Sequence, residues 1–287
     1  MLEGMTQLKQ RLVMSLGIAV LTFLTIFLAP IPIFKPILTA IIGGSVGLAI
    51  WELYQIACAK GVEPAEKLGI CCGVLYVFAV AISTQYPIAN ALPEVVLFAA
   101  LLACCLYYFI KSTSPLMNLS ATVLGIAYLA IPLSCMIRIV YFFADSGIQD
   151  GRWWLFYLIT VSKMTDTGGF FIGKWFGRQQ LAPYISPKKT WEGALGGFFL
   201  AILTSISIVV VTTLLGSAFT LTLWQSIFLG ASIGVLAQFG DLIESLLKRD
   251  GGIKDSNDLP GLGGMLDIVD SLVFTSPLVY LFLEIYS

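Results

Sequence analysis

Residues 194–215 read ALGGFFLAILTSISIVVVTTLL, and no charged side chain interrupts this stretch. A helix of about 20 apolar residues is long enough to cross a hydrocarbon core of about 30 Å. Such runs recur along the whole chain and predict about nine membrane-spanning helices. Their ranges are roughly 12–30, 36–57, 68–86, 93–110, 119–143, 153–176, 194–215, 223–243 and 266–285.

The composition indicates the same class of protein. Hydrophobic residues make up 58% of the chain and charged residues 11%, whereas a soluble domain carries about 25% charged residues. The runs lack the period-two alternation of a transmembrane β-barrel, and helices satisfy their backbone hydrogen bonds within each span. The predicted fold class is therefore all-α, as a polytopic transmembrane helical protein.

The distribution of positive charges predicts the orientation in the membrane. If the spans alternate from a cytoplasmic N-terminus, most lysines and arginines fall on one side, and Lys35 and Arg152 fall on the other. Because positively charged loops stay inside, we expect the crowded side to be cytoplasmic. The first run is longer than a signal-peptide core and lacks a cleavage pattern, so we expect it to be retained.

Cysteine and histidine usage excludes two kinds of site. The chain contains no histidine, so a Cys/His zinc site and a histidine-dependent triad are excluded. We interpret the cysteines as small packing residues; they are Cys58, Cys71, Cys72, Cys104, Cys105 and Cys135. The lack of a disulfide framework and the compact size favour a bacterial inner membrane.

Polar residues divide the chain into two predicted regions. Residues 1–150 are almost continuous apolar runs and are predicted to form a transmembrane scaffold. Residues 151–287 are predicted to form the catalytic region, with cytoplasmic polar loops at 173–193 and 241–265. We find no internal repeat of the kind that many secondary transporters show.

The end of the eighth run carries a polar face. Asp241, Glu244, Ser245 and Lys248 are spaced by three and four residues, so they share one side of a helix. The alternative interpretation is a solvated loop with ordinary surface charges.

Two acids begin the last run, because Asp267 and Asp270 are three residues apart there. Carboxylates gathered from two helix ends repel one another unless a cation lies between them, and oxygen ligands suit Mg²⁺. Such an ion would collect phosphates, while Lys248, Arg249 and Lys254 neutralise the remaining charge. This pattern predicts a phosphoryl or nucleotidyl transfer site.

An earlier polar stretch adds two further candidates. Asp166 lies deep in the sixth run, where an acid is a functional hypothesis by default, although Lys163 could neutralise it as a structural pair. Ser186, Lys188 and Lys189 could bind a phosphate head group at the membrane surface. A basic loop can equally be a topology determinant or a general contact for anionic lipids.

Residues 245–270 read SLLKRDGGIKDSNDLPGLGGMLDIVD. This stretch resembles the signature of the phosphatidate cytidylyltransferase (CDP-diacylglycerol synthase) family, which runs Ser-x-x-Lys-Arg, Lys-Asp, Pro-Gly-His-Gly-Gly and Asp-Arg-x-Asp. The resemblance extends upstream to SPKKTWEG at 186–193 and DTG at 166–168. Three features depart from the pattern: Leu262 replaces the histidine, Ile268 replaces the arginine, and the segment before Pro260 is one residue shorter.

The resemblance implies an enzyme that transfers the cytidylyl group of CTP to phosphatidate at the membrane, forming CDP-diacylglycerol and pyrophosphate. It implies Mg²⁺ bound by Asp241 and Asp267, with a second cation left open, and catalytic roles for Lys248 and Asp270. The implied substrate-binding residues are Arg249, Lys254, Asp255, Asp166, Ser186, Lys188, Lys189 and Ser245. No nucleic-acid partner is expected, and a homodimer is allowed.

The missing histidine does not preclude this reaction, because a phosphate monoester has a second pKa of about 6 and is its own ionised nucleophile. Alternative interpretations are another CTP-dependent lipid enzyme, such as a polyprenol kinase or a CDP-archaeol-type synthase, a secondary transporter, and a catalytically inactive relative that serves as a scaffold.

Overall fold

The computed structural model describes residues 25–28, 31, 34–111, 114–143, 149–253 and 264–286. Nearly all of this part of the chain is helical. The helices are α1 (Lys35–Ala59), α2 (Glu66–Gln85), α3 (Leu92–Lys111), α4 (Pro115–Gly125), α5 (Ile131–Tyr141), α6 (Gly151–Phe176), α7 (Trp191–Leu214), α8 (Leu223–Asp250) and α9 (Met265–Tyr286). A π-helical turn, Ile126–Ala130, joins α4 to α5, and a 3₁₀ turn, Pro87–Ala89, precedes α3.

Within the described residues, seven helices are long and apolar enough to cross a membrane, if α4, the π turn and α5 count as one helix. They expose large apolar side chains outward, such as Phe109 and Leu214, as expected of surfaces in lipid. α6 is equally long but is not among the seven; it carries Arg152, Lys163 and Asp166. The all-α, polytopic membrane class is thereby confirmed.

The span count and orientation stay predictions. The first predicted span, 12–30, lies outside the described residues except for 25–28. The other eight predicted ranges each coincide with a long helix or, for 119–143, with the continuous α4–π–α5 rod.

Buried hydroxyl groups connect the three helices α6, α7 and α8. Ser205 on α7 donates its hydroxyl hydrogen to the carbonyl oxygen of Ser226 on α8 at 2.6 Å. The Tyr157 hydroxyl on α6 lies 2.7 Å from the Ser205 oxygen and therefore donates to it. These residues are fully buried, where a hydrogen bond satisfies groups that water cannot reach.

The predicted polar loop at 173–193 contains a small β-hairpin that we did not predict from the sequence. β1 (Gln180–Ala182) pairs antiparallel with β2 (Ser186–Thr190). The hairpin follows the end of α6 and leads directly into α7, whose N-terminus is capped by Thr190: its Oγ1 accepts a hydrogen bond from Gly193 N at 3.1 Å. The cap satisfies an N–H that has no partner within the helix.

The segment 241–265, which was predicted to be a polar loop, is helical as far as Asp250. α8 begins with a capping box formed by Thr222 and Gln225 and continues to Asp250, beyond the predicted end of the span at 243. Glu244 and Lys248 therefore lie on the helix itself. The predicted site residues Lys254 and Asp255, and the departure at Leu262, lie outside the described residues.

Candidate active site

Lys248 lies between two carboxylates from different helices. Its Nζ is 2.7 Å from Oε1 of Glu244, one turn earlier on α8, and it also donates to Oδ1 of Asp267 on α9. The Lys248 side chain is 7% exposed and that of Glu244 is 3% exposed. A buried cation held in this way ties the end of α8 to the beginning of α9.

Asp270 lies deeper on α9 and faces α8. It is 5% exposed, and its Oδ1 accepts a hydrogen bond from Ser271 N at 2.5 Å. The neighbouring position on α8 is Gly240, where a Cβ atom would lie 2.3 Å from the Asp270 carbonyl oxygen. Only glycine permits this approach, which brings Asp241 next to Asp270.

Three carboxylates converge where α8 and α9 meet. Asp241, Glu244 and Asp270 each place an oxygen within 4.8 Å of the other two. Mg²⁺ and similar hard cations bind carboxylate oxygens, and these three side chains could hold such an ion together. The donor set therefore fits a hard divalent cation.

α6 contributes a lysine and an aspartate to the same region. Lys163 Nζ donates to Ser271 Oγ on α9 at 2.9 Å and to Asp166 Oδ2 at 3.4 Å. Both charged side chains are about one-third exposed. Asp166 is ten residues before the end of α6, or about 15 Å along the helix axis. The predicted pair is therefore formed, and Ser271 connects it to α9.

The hairpin adds a third lysine. Lys189 on β2 forms an ion pair with Asp241 Oδ2 at 2.6 Å, and its side chain is 26% exposed. Arg249, beyond the buried face of α8, donates from Nε to the Ile185 carbonyl oxygen at 3.1 Å. These two contacts hold the hairpin against the C-terminal part of α8.

The site carries an excess of negative charge. Among the described residues, the site contains five carboxylates and three ammonium groups. The carboxylates are those of Asp166, Asp241, Glu244, Asp267 and Asp270, and the ammonium groups are those of Lys163, Lys189 and Lys248. With all of them ionised the sum is two negative charges. Buried charge without compensation is unfavourable, and one bound divalent cation would balance this sum.

The predicted residues are only partly brought together. The described members of the cluster are Asp166, Asp241, Lys248, Asp267, Asp270 and Lys189. Ser186 and the exposed Lys188 lie on the hairpin, and Ser245 lies half-buried on α8. Asp267 pairs with Lys248 and is not one of the three converging carboxylates. Its assignment as a metal ligand stays a prediction.

Glu244, Lys163 and Ser271 were not among the predicted site residues. The sequence did signal the first of them, because Glu244 shares a helix face with Asp241 and Lys248. Ser271 offered no signal, since a serine within an apolar run is usually a packing residue. Its contact with Lys163 requires α6 and α9 to be adjacent.

Carboxylates that can hold Mg²⁺, placed beside lysines that can contact phosphates, are recurring parts of phosphoryl-transfer sites. The chain belongs to the Cytidylyltransferase family, whose family model matches residues 9–286. The predicted family resemblance is thereby confirmed.

Three bacterial proteins similar to this chain are named phosphatidate cytidylyltransferase. That of Bacillus subtilis is 30% identical over 99% of this chain and 100% of its own length. That of Synechocystis is 29% identical over 82% of this chain and 84% of its own length. That of Chlamydia muridarum is 39% identical over 55% of this chain, and the chain spans about half of that protein, 52%.

Proposed function

We propose that the chain transfers the cytidylyl group of CTP to phosphatidate, which yields CDP-diacylglycerol for phospholipid biosynthesis and releases pyrophosphate. The observation that carries this proposal is the convergence of Asp241, Glu244 and Asp270 beside lysines from α6, α8 and the hairpin. Membership of the family and the full-length similarity to the Bacillus relative support it.

The chemistry needs no general base. The phosphate monoester of the lipid is largely dianionic near neutral pH, since its second pKa is about 6. One of its oxygens attacks the α-phosphorus of CTP; a new P–O bond forms while the bond from that phosphorus to the pyrophosphate oxygen breaks. No proton has to be removed, which suits a chain without histidine. The protein must align the reactants and neutralise charge.

The residues divide this work by position. Asp241, Glu244 and Asp270 would hold Mg²⁺, which when bound would neutralise the triphosphate and the departing pyrophosphate. The Lys163 side chain is about one-third exposed, so it can exchange its carboxylate partner for a phosphate oxygen. The Lys189 ammonium group is buried beside Asp241, so it neutralises charge at the cation site. The further substrate contacts in the proposal are Asp166, Ser186, Lys188, Ser245 and Arg249.

Lys248 and Asp267 have a different place in the proposal. Lys248 is buried between Glu244 and Asp267, so its main role is to hold the acids of α8 and α9 together.

We further propose that the protein lies in a bacterial inner membrane with the site facing the cytoplasm. The homodimer stays a prediction from the sequence.

The proposal is tested with purified protein, phosphatidate, Mg²⁺ and CTP labelled at either the α or the γ phosphorus. We expect α label in the lipid and γ label in pyrophosphate. Asp270→Asn should lower kcat by about 100-fold or more, because it removes a charge from the cation site. Glu94→Gln, an exposed acid at the start of α3, is the control and should match the unmodified protein.

Two outcomes would contradict the proposal. Label from the γ position in the lipid would indicate a CTP-dependent kinase. If the protein is folded in a lipid environment and the lipid product carries label from neither position, the chain is an inactive relative.

A further inference from the structure

Glu52 is a buried acid in the predicted scaffold, far from the cluster in sequence. It lies on α1 and is 0% exposed. Both of its carboxylate oxygens accept hydrogen bonds from the first turn of α9: Oε1 from Met265 N at 2.8 Å and Oε2 from Leu266 N at 2.7 Å. Among the described residues, no lysine or arginine forms an ion pair with Glu52.

These contacts are those of a helix cap supplied by another helix. The first N–H groups of a helix have no partner within it, and a carboxylate there is stabilised by the helix dipole. A buried carboxylate that lacks a cationic partner is unfavourable. The two amides and the positive end of α9 are therefore what make a charge at this position tolerable, and Glu52 in turn fixes where α9 begins.

α1 contacts the other acid-bearing helix as well. Lys60, just after α1, forms an ion pair at 2.5 Å with Asp250, the last residue of α8. A Cβ atom on the next residue, Gly251, would lie 2.8 Å from the Ile56 carbonyl oxygen. Ile56 is one turn beyond Glu52. The same end of α1 thus supports the end of α8 and the beginning of α9.

The capped turn leads directly into the site. Asp267 follows Leu266 in the chain, and Asp270 lies less than one turn further along α9. We propose that Glu52 is a positioning residue: by fixing the first turn of α9, it places Asp270 opposite Asp241 and Glu244 and so sets the geometry of the cation site. This role rests on the proposed function only through the cation that the site would hold.

The test uses the full chain in lipid nanodiscs without nucleotide. Glu52→Gln keeps the shape of the side chain but points an amide N–H₂ at one of the two backbone donors. Hydrogen exchange at Met265 and Leu266 should become about 10-fold faster. Mn²⁺ binding, measured from the electron paramagnetic resonance signal of the free ion, should weaken about 10-fold or more.

Glu66→Gln is the matched control. Glu66 lies in the first turn of α2 and contacts Gln55 and Cys58 on α1. The substitution removes the same charge from the same half of the protein, and Mn²⁺ binding should stay within about twofold of the unmodified value.

Faster exchange with unchanged Mn²⁺ affinity in Glu52→Gln would overturn the positioning role and leave a purely structural cap. If Glu52→Gln does not fold, Glu52→Asp provides the test, because it keeps the charge but shortens the reach by one methylene. Its Mn²⁺ affinity should be reduced, and an unchanged affinity would overturn the proposal. Normal Mn²⁺ binding by a protein that transfers no cytidylyl group would instead defeat the proposed function alone.

Discussion

Lys248 is enclosed by the acids on either side of it. Its neighbours in sequence, Leu247 and Arg249, suggest an ordinary helix end, but the side chain turns inward to Glu244 and Asp267. Glu244 is almost fully buried, whereas the Asp267 side chain is 44% exposed. Removing the lysine would therefore be more unfavourable for Glu244 than for Asp267, because water cannot reach the Glu244 carboxylate.

At the residue scale we predict that Lys248→Met lowers the free energy of unfolding by about 3 kcal/mol, the order expected when one partner of a buried ion pair is removed. Adding Glu244→Gln should restore much of that stability, because no buried charge then remains on α8 at this position. Activity should stay low in both variants. The single variant lacks the lysine that holds the acids together, and the double variant also lacks one carboxylate of the cation site. Thermal unfolding in detergent, alongside the transfer assay, measures both effects. Equal melting temperatures for the single and double variants would show that the lysine is not there to balance Glu244.

At the scale of elements, the crossing of α8 and α9 depends on one position without a side chain. Gly240 faces the backbone of Asp270 on α9, and backbone atoms cannot move aside as a flexible side chain can. An added methyl group must separate the two helices. The carboxylates of the trio are carried by both helices, so a separation opens the cation site.

We predict that Gly240→Ala reduces stability by about 1–3 kcal/mol and lowers activity much more than that loss explains, with a raised requirement for Mg²⁺. Gly44→Ala is the matched control: Gly44 lies within α1, and a Cβ atom added there would have no atom within 4 Å. It should be neutral or up to about 1 kcal/mol more stable. Unchanged Mg²⁺ dependence in Gly240→Ala would show that the site does not need this helix contact.

The polar ends of the elements were the least predictable from the sequence. The apolar pattern of α8 stops near residue 243, but the helix continues to Asp250, where Lys248 and Arg249 suit the negative end of its dipole. The hairpin between α6 and α7 has short strands with few apolar residues. Its position depends on contacts with α8, such as that of Lys189 with Asp241.

At the scale of the whole molecule, the site lies in the C-terminal halves of α6 and α8 and in the first turns of α9. The hairpin lies at that same end, whereas the connection from α7 to α8 lies at the opposite end of these helices. The two ends must face different sides of a membrane. The proposed orientation places the hairpin in the cytoplasm.

We predict that a single cysteine introduced as Lys188→Cys, in a variant without the native cysteines, reacts with an impermeant maleimide only after the cells are opened. Ala218→Cys, between α7 and α8, should react in intact cells and serves as the control for the opposite side. Both positions are exposed, so accessibility alone does not decide the result. Labelling of Lys188→Cys in intact cells would reverse the proposed orientation.

The sequence by itself determined the class of protein and its family. Transfer of an apolar side chain into lipid is favourable whatever its neighbours are, so runs such as 194–215 predict spans without knowledge of the fold. The order of residues in 245–270 was enough to indicate the family, because that resemblance is itself a property of sequence.

The tertiary structure decided which charges meet. Glu244 joins Asp241 and Asp270, while Asp267 turns to Lys248, because the rotation and crossing of α8 and α9 choose among acids that are equally plausible by spacing. The contact between Glu52 and α9 is even harder to predict, because it joins residues more than 200 positions apart in the chain. Contacts of this kind depend on how helices pack, and no local pattern encodes them.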